Sequence, residues 1–355
     1  MKEKAIVITG GLLGEADAKT AHGLIRGTDR FEIAGIVDDR FAGRDAGEVL
    51  DGRHRDIPVF GDVQEAVGLV QKIRYCIIGI ATVGGIMPPA IREQVGQCIR
   101  HGISIINGLH DYLEEMDELV ALAASHQVEL IDIRKPKKRK DLHFWTSSIF
   151  GVRAPVIAVL GMDCAMGKRT TCRMVMEACR SRGLAAEMIY TGQTGWLQGG
   201  RYGFIFDTTL NDFISGEIEH AIVTCYQETS PDIILLEGQS SLRNPSGPCG
   251  SELLVSGNAR FAILIHAPAR RYYDHMEAWG AIPSVESEIA LIKQYGSQVI
   301  ALALNTEHCS LQEALDHQRH FQELLKIPVL LPLEEGVAEL VPLIETIINQ
   351  SRHED

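Results

Sequence analysis

The residues best equipped for chemistry lie in one stretch, Val156-Ile-Ala-Val-Leu160-Gly161-Met-Asp163-Cys164-Ala165-Met-Gly167-Lys168-Arg169-Thr170-Thr171. An apolar run leads into a glycine-bounded loop, and the loop opens a helix carrying a lysine. Backbone N–H groups of such a loop converge on an anion, the helix N-terminus adds partial positive charge, and the lysine neutralises a phosphate. The spacing departs from G-x4-G-K-[ST] in two places: five residues separate Gly161 from Gly167, and Arg169 stands where a magnesium-binding hydroxyl follows the lysine. Phosphate binding through 161–171 is therefore expected more firmly than metal binding.

These residues need a scaffold, and the apolar pattern supplies one. Short β-branched runs alternate with helix-length segments at Ala5–Ile8, Phe31–Val37, Tyr75–Ile80, Ile103–Ile106 and Val128–Ile131. A second series runs Val156–Leu160, Ala186–Tyr190, Ile233–Leu236, Phe261–Ile265, Val299–Leu304 and Val329–Leu331, and a helix is expected from about 336 to 349. Continuous apolar strands of this kind predict parallel sheets covered on both faces. The fold class is α/β with two doubly wound domains: Rossmann-like over 1–134, a linker over 135–150, and P-loop NTPase-like over 151–355.

Ligands of open parallel sheets collect at the carboxyl ends of the strands. Four polar groups of the second domain follow strands: Thr191-Gly192-Gln193-Thr194-Gly195, Asp207 with Asn211-Asp212, Glu237-Gly238-Gln239-Ser240-Ser241, and His266. Gly192, Gln193, Thr194 and Gln239 join the loop as expected ligand contacts. Glu237, Asp212 and His266 are the candidate proton acceptors, though a strand-tip carboxylate can also cap a helix and a strand-end histidine can belong to the core. If magnesium is used, Thr170 and Glu237 would hold it. Tips 161–167, 191–195 and 237–241 should form one wall.

Composition bounds the alternatives. A net charge of -13 argues against a nucleic-acid surface, and the basic run Arg134-Lys-Pro-Lys-Lys-Arg-Lys140 reads as part of the linker. No apolar run approaches the roughly 18 residues that cross a bilayer. Eight cysteines without C-x-x-C spacing, and a strand at the N-terminus, point to a reduced, cytoplasmic protein. Base rates of assembly favour an even-numbered homo-oligomer. In the first domain Gly10-Gly-Leu-Leu-Gly14 lacks the G-x-G-x-x-G spacing of a dinucleotide site.

G-x-D-x-x-x-G-K with a later strand ending in Glu-Gly resembles the dethiobiotin synthetase-like branch of P-loop proteins. A closer resemblance joins Gly161-x-Asp163-Cys164-Ala165-x-Gly167-Lys168-x-Thr170-Thr171, Thr191-Gly-Gln-Thr-Gly195, Asn211-Asp212-Phe213 and Glu237-Gly-Gln239. These four ordered motifs are similar to a two-domain family long catalogued as a domain of unknown function. The chain departs from it at Gln239-Ser240-Ser241, where the resemblance would place Gln-Gly-Ser. Members are assigned as N-acetyltransferases of D-amino acids, notably D-glutamate, using acetyl-CoA. The segment from Ile77 through Gly84-Gly85 to Pro89, with His101–His110, also resembles the CoA-binding domain of acyl-CoA synthetases.

The resemblance implies acetyl transfer from acetyl-CoA to the amine of a small acidic D-amino acid, with the P-loop on the CoA phosphates. The residues themselves leave two rivals open: an ATP-magnesium-dependent ligase or kinase, and a nucleotide-binding regulatory protein.

Overall fold

The computed structural model describes residues 2–353. It forms two compact units, one of residues 1–136 with 193–199, the other of 137–192 with 200–355. The first unit is built on six strands: β1 (Glu3–Ile8), β2 (Phe31–Val37), β3 (Val59–Phe60), β4 (Tyr75–Ile78), β5 (Ser104–Asn107) and β6 (Leu130–Asp132). They pair in parallel in the order β3-β2-β1-β4-β5-β6. Alternation along β1 explains why the run is apolar throughout. Ile6 and Ile8 enter one core cluster while Ala5 and Val7 enter another, so both sheet faces are covered.

This is the Rossmann-like order, yet the acid at the tip of β2 serves the fold. Asp38 is fully buried, and its carboxylate accepts from Thr9 Oγ1 (2.6 Å), Leu13 N (2.9 Å) and Arg40 N (3.1 Å), fixing the loop after β1. Gly85 has φ +68°, and a Cβ there would lie 2.3 Å from the His110 ring, so that glycine is required by packing. Leu197 lies in the core of this unit, and Arg30 covers the Trp196 ring at 4.0 Å.

The second unit carries β7 (Val156–Gly161), β8 (Ala186–Tyr190), β9 (Tyr202–Gly203), β10 (Ile233–Glu237), β11 (Phe261–His266), β12 (Gln298–Leu304) and β13 (Val329–Leu330). Their order is β13-β12-β11-β7-β10-β8-β9, parallel throughout. β7 is buried at every position because it lies in the sheet interior between β11 and β10.

Residues 137–150 also pack in this unit. Gly216, in the helix Asn211–Thr229, admits them closely: a Cβ there would sit 2.1 Å from the His143 carbonyl oxygen. Buried Glu217 accepts from Lys137 Nζ (2.6 Å) and His143 N (2.9 Å), and buried Glu219 accepts from Thr146 Oγ1 (2.9 Å) and Ile149 N (3.1 Å). All eight cysteines are free thiols. Among the described residues no helix is long and apolar enough to cross a membrane.

Candidate functional site

The loop after β7 ends at the helix Lys168–Ser181. Its backbone turns through left-handed conformations at Ala165 (φ +50°) and Gly167 (φ +93°), and the second makes glycine the natural residue where the helix begins. Two further glycines make room for the lysine. A Cβ at Gly161 would lie 3.2 Å from Lys168 Cδ and Nζ, and one at Gly238 would meet the Val159 carbonyl oxygen at 2.3 Å and Lys168 Cδ at 3.1 Å. The Lys168 stem therefore runs between the tips of β7 and β10. The residue is 7% exposed and donates from Nζ to the Asp163 carbonyl oxygen at 2.7 Å.

Because β10 lies between β7 and β8, the strand tips at Gly161, Thr191 and Glu237 are adjacent, an order that the succession of apolar runs along the chain does not itself dictate. Glu237 is 4% exposed. Its Oε2 accepts from Thr191 N at 3.0 Å, and Arg169 Nη1 lies 3.9 Å from Oε1. Burial pushes the carboxyl above its ordinary range, against the opposing pull of Arg169, the Thr191 N–H and Lys168. Burial also works against the Arg169 charge, which Glu237 supports. Gln239 donates from Nε2 to Thr191 O at 2.9 Å, and a Cβ on Gly192 would lie 2.9 Å from that nitrogen. Ser240 has φ +38°, a left-handed backbone that explains why glycine suits this position.

Asp163 belongs to the same loop, but its carboxylate is committed to protein partners. Oδ1 accepts from Asn244 Nδ2 (2.7 Å), and Oδ2 from Arg270 Nη1 (2.9 Å) and Asp274 N (2.7 Å). Arg270 also holds the Cys164 carbonyl oxygen (2.7 Å) and pairs with Glu307 (2.6 Å). The cluster ties the loop to residues 244, 270, 274 and 307, a set that no local motif announces. Cys164 points its thiol at Ser240 Oγ (3.4 Å), and burial pushes that thiol up against the pull of Lys168. Ala165 is exposed, Thr170 is half-buried and Thr171 is buried.

The remaining candidates sit differently. Gln193 and Thr194 count with the first unit, where Arg134 donates to Gln193 Oε1 (2.9 Å) and the Thr20 and Thr194 hydroxyls are 3.4 Å apart. Asp212 is exposed in the first turn of the helix Asn211–Thr229. Gly238 gives its N–H to Val159 O at 3.0 Å, so that donor is taken by the sheet. Arg201 pairs with Glu228 (2.5 Å) and Arg243 with Glu288 (2.5 Å).

His266 ends β11 with its ring edge-on to Phe321 at 5.5 Å, and its Nδ1 is buried with no partner among the described residues. Burial, with His317 adding to it, lowers its pKa to about 4. The unfolded chain binds this proton near pH 6.5, so the stabilising contribution is present above that value and is lost as pH falls towards 4. The difference corresponds to about 3 kcal/mol. We expect His266→Phe to reduce the loss of stability between pH 7 and 4 by about that amount, read from urea unfolding at both pH values. An unchanged pH dependence would rule out the buried neutral histidine.

Two family models match the chain: a domain of unknown function (DUF1611_C) P-loop domain over residues 143–341, and a domain of unknown function (DUF1611_N) Rossmann-like domain over 39–136. A protein of Pseudoalteromonas sp named D-glutamate N-acetyltransferase is 29% identical over 271 residues, 75% of this chain and 79% of that protein. One of the same name from Tritonibacter scottomollicae is 27% identical over 278 residues, 76% of this chain and 81% of that protein. The crystal structure of a DUF1611 family protein from Anabaena variabilis superposes with a TM-score of 0.88 at 24% identity, covering 97% of this chain and 100% of that one.

Proposed function

The chain belongs to the DUF1611 family, and from that premise we propose that it is an N-acetyltransferase acting from acetyl-CoA on the amine of a small acidic amino acid of D configuration. Two similar proteins carry the name D-glutamate N-acetyltransferase, which supports the reaction class and the substrate. The observation that carries the reading at residue level is the meeting of an anion cradle, a buried lysine and a buried carboxyl at adjacent strand tips. CoA bears a diphosphate and a ribose phosphate, so loop 161–171 suits it chemically. Bound acetyl-CoA supplies a thioester carbonyl open to attack by an amine.

The protein's part is to bind, orient and move a proton. Gly161, Gly167 and the first turn of the helix Lys168–Ser181 present N–H groups, while Lys168 and Arg169 balance phosphate charge. Glu237 accepts the proton of the attacking amine and would return it to the thioester sulfur, which leaves as the free thiol when the C–S bond gives way to the new C–N bond. A carboxyl raised by burial is a better base than an ordinary one, and Arg169, the Thr191 N–H and Lys168 pull it the other way, towards its charged form. The N–H groups near Gly192 receive the developing oxyanion in this reading. Thr191 supports both ends by holding Glu237 Oε2 and, through Oγ1, the Glu237 carbonyl oxygen (3.0 Å).

The test is to incubate the purified protein with acetyl-CoA and a panel of D- and L-amino acids, with and without ATP, following free thiol and N-acetyl product. Product formed from an acidic D-amino acid without ATP is the expected result. Strict dependence on ATP, with ADP or AMP formed in step with product, would assign a ligase or kinase instead. Lys168→Ala should weaken CoA binding about 10-fold to 150-fold, the loss of one charge-assisted contact of about 1.5 to 3 kcal/mol. Unchanged affinity, measured by calorimetry, would remove the loop from the phosphate site.

A further inference from the structure

We infer that Arg169 takes the place of the divalent cation at this P-loop, so that the phosphorylated ligand is bound without magnesium. The inference rests on the reading that loop 161–171 receives ligand phosphates. P-loop folds hold the cation between the hydroxyl that follows the lysine and a carboxylate from a neighbouring strand tip. In this chain those two positions are Arg169 and Glu237, and they face each other at 3.9 Å with side chains 19% and 5% exposed. A positive charge already stands at the acid. The other oxygen of Glu237 is taken by the Thr191 N–H.

The alternative ligands do not restore a magnesium site: Asp163, Cys164 and Asp274 cluster beside the loop, but Asn244 donates to both carboxylates and a thiol does not suit magnesium. Thr170 is one residue further on, which on a helix turns a side chain by about 100° and advances it by about 1.5 Å. The other carboxylate of the loop, Asp163, has both oxygens occupied by Asn244, Arg270 and the Asp274 N–H. A divalent ion beside Glu237 would also lie close to the Arg169 guanidinium in a buried setting, where like charges repel far more strongly than in water. The residues present do not fit the metal.

They do fit an anion. Lys168 and Arg169 against Glu237 leave one positive charge in excess, which a phosphate oxygen balances. A guanidinium also matches phosphate with paired N–H donors, an arrangement that neither lysine nor a bare charge reproduces.

Calorimetry of CoA and ADP binding, each in excess magnesium and in excess EDTA, separates the possibilities. For the natural sequence the two conditions should give affinities within about twofold, and Arg169→Ala should weaken both ligands about 10-fold to 150-fold in either. Arg169→Thr restores the hydroxyl and should make ADP binding magnesium-dependent. Arg169→Gln, which keeps N–H donors beside Glu237, serves if the Ala variant does not fold, with the thermal midpoint reporting on folding. A tenfold or greater loss on chelation in the natural sequence, or Arg169→Ala and Arg169→Gln binding as tightly as it does, overturns the inference. Lys168-dependent binding that requires magnesium overturns this inference alone. No binding of either ligand under any condition overturns the phosphate reading with it.

Discussion

Glu237→Gln should lower acetyl transfer by about 100-fold to 10,000-fold, the range in which a positioned general base contributes, while the protein stays folded and still binds CoA. The amide keeps the size of the carboxyl and can still accept the Thr191 N–H, so the tip of β10 is preserved. What is lost is the ability to take a proton from the amine. Removing a negative charge beside Lys168 and Arg169 should leave CoA affinity equal or slightly tighter, which distinguishes a chemical defect from a binding one. The pH profile gives a second reading. Burial holds this carboxyl above its ordinary value, so kcat should fall with acid below a midpoint higher than that of a solvated glutamate, and the limb should vanish in the variant. Full turnover by Glu237→Gln would move the base to Asp212 or His266. The two differ: Asp212 is exposed, whereas His266 keeps its ring against Phe321 with a pKa near 4.

The contrast between Glu237 and Asp163 shows what a sequence can carry. Glu237 was legible because it ends an uninterrupted apolar run, Ile233–Leu236, and a parallel sheet places whatever follows such a run at the ligand-bearing edge. Lys168 was legible because it follows Gly167, the glycine that closes the loop after Val156–Leu160 and opens a helix. Asp163 lies in the same loop, but its role is decided by partners 81, 107 and 111 residues away, and no periodicity encodes contacts between separate loops. The short strands β3 and β9 escaped notice because two residues hold no period and neither lies in a longer apolar run, whereas the equally short β13 was read within Val329–Leu331. Segment 193–199 follows β8 as a short turn of helix, and nothing in its composition says that Leu197 completes the core of the other unit. Sequence thus reveals where a strand ends more readily than what its loop then touches.

Asp163→Ala should destabilise the second unit by about 3 to 5 kcal/mol, the usual cost of removing one member of a buried ion pair. The carboxylate is fully buried and the Arg270 side chain is 4% exposed, so solvent cannot replace what is lost. Glu307 still pairs with Arg270 in the variant, which places the expected loss nearer the lower figure. Asp163→Asn is no remedy. One amide atom becomes a donor, while the carboxylate oxygens now receive Asn244 on one side and Arg270 with the Asp274 N–H on the other. Asp163→Ala combined with Arg270→Met should cost less than the sum of the two single changes, because the second removes the charge that the first leaves underpaired. Urea unfolding of the four proteins supplies the cycle. Additivity within about 0.5 kcal/mol would show that the pair does not act as a unit. The Lys168 contact is to the Asp163 main-chain oxygen, so CoA affinity of the folded variant should fall much less than in Lys168→Ala. That difference separates a residue that shapes the loop from one that grips the ligand.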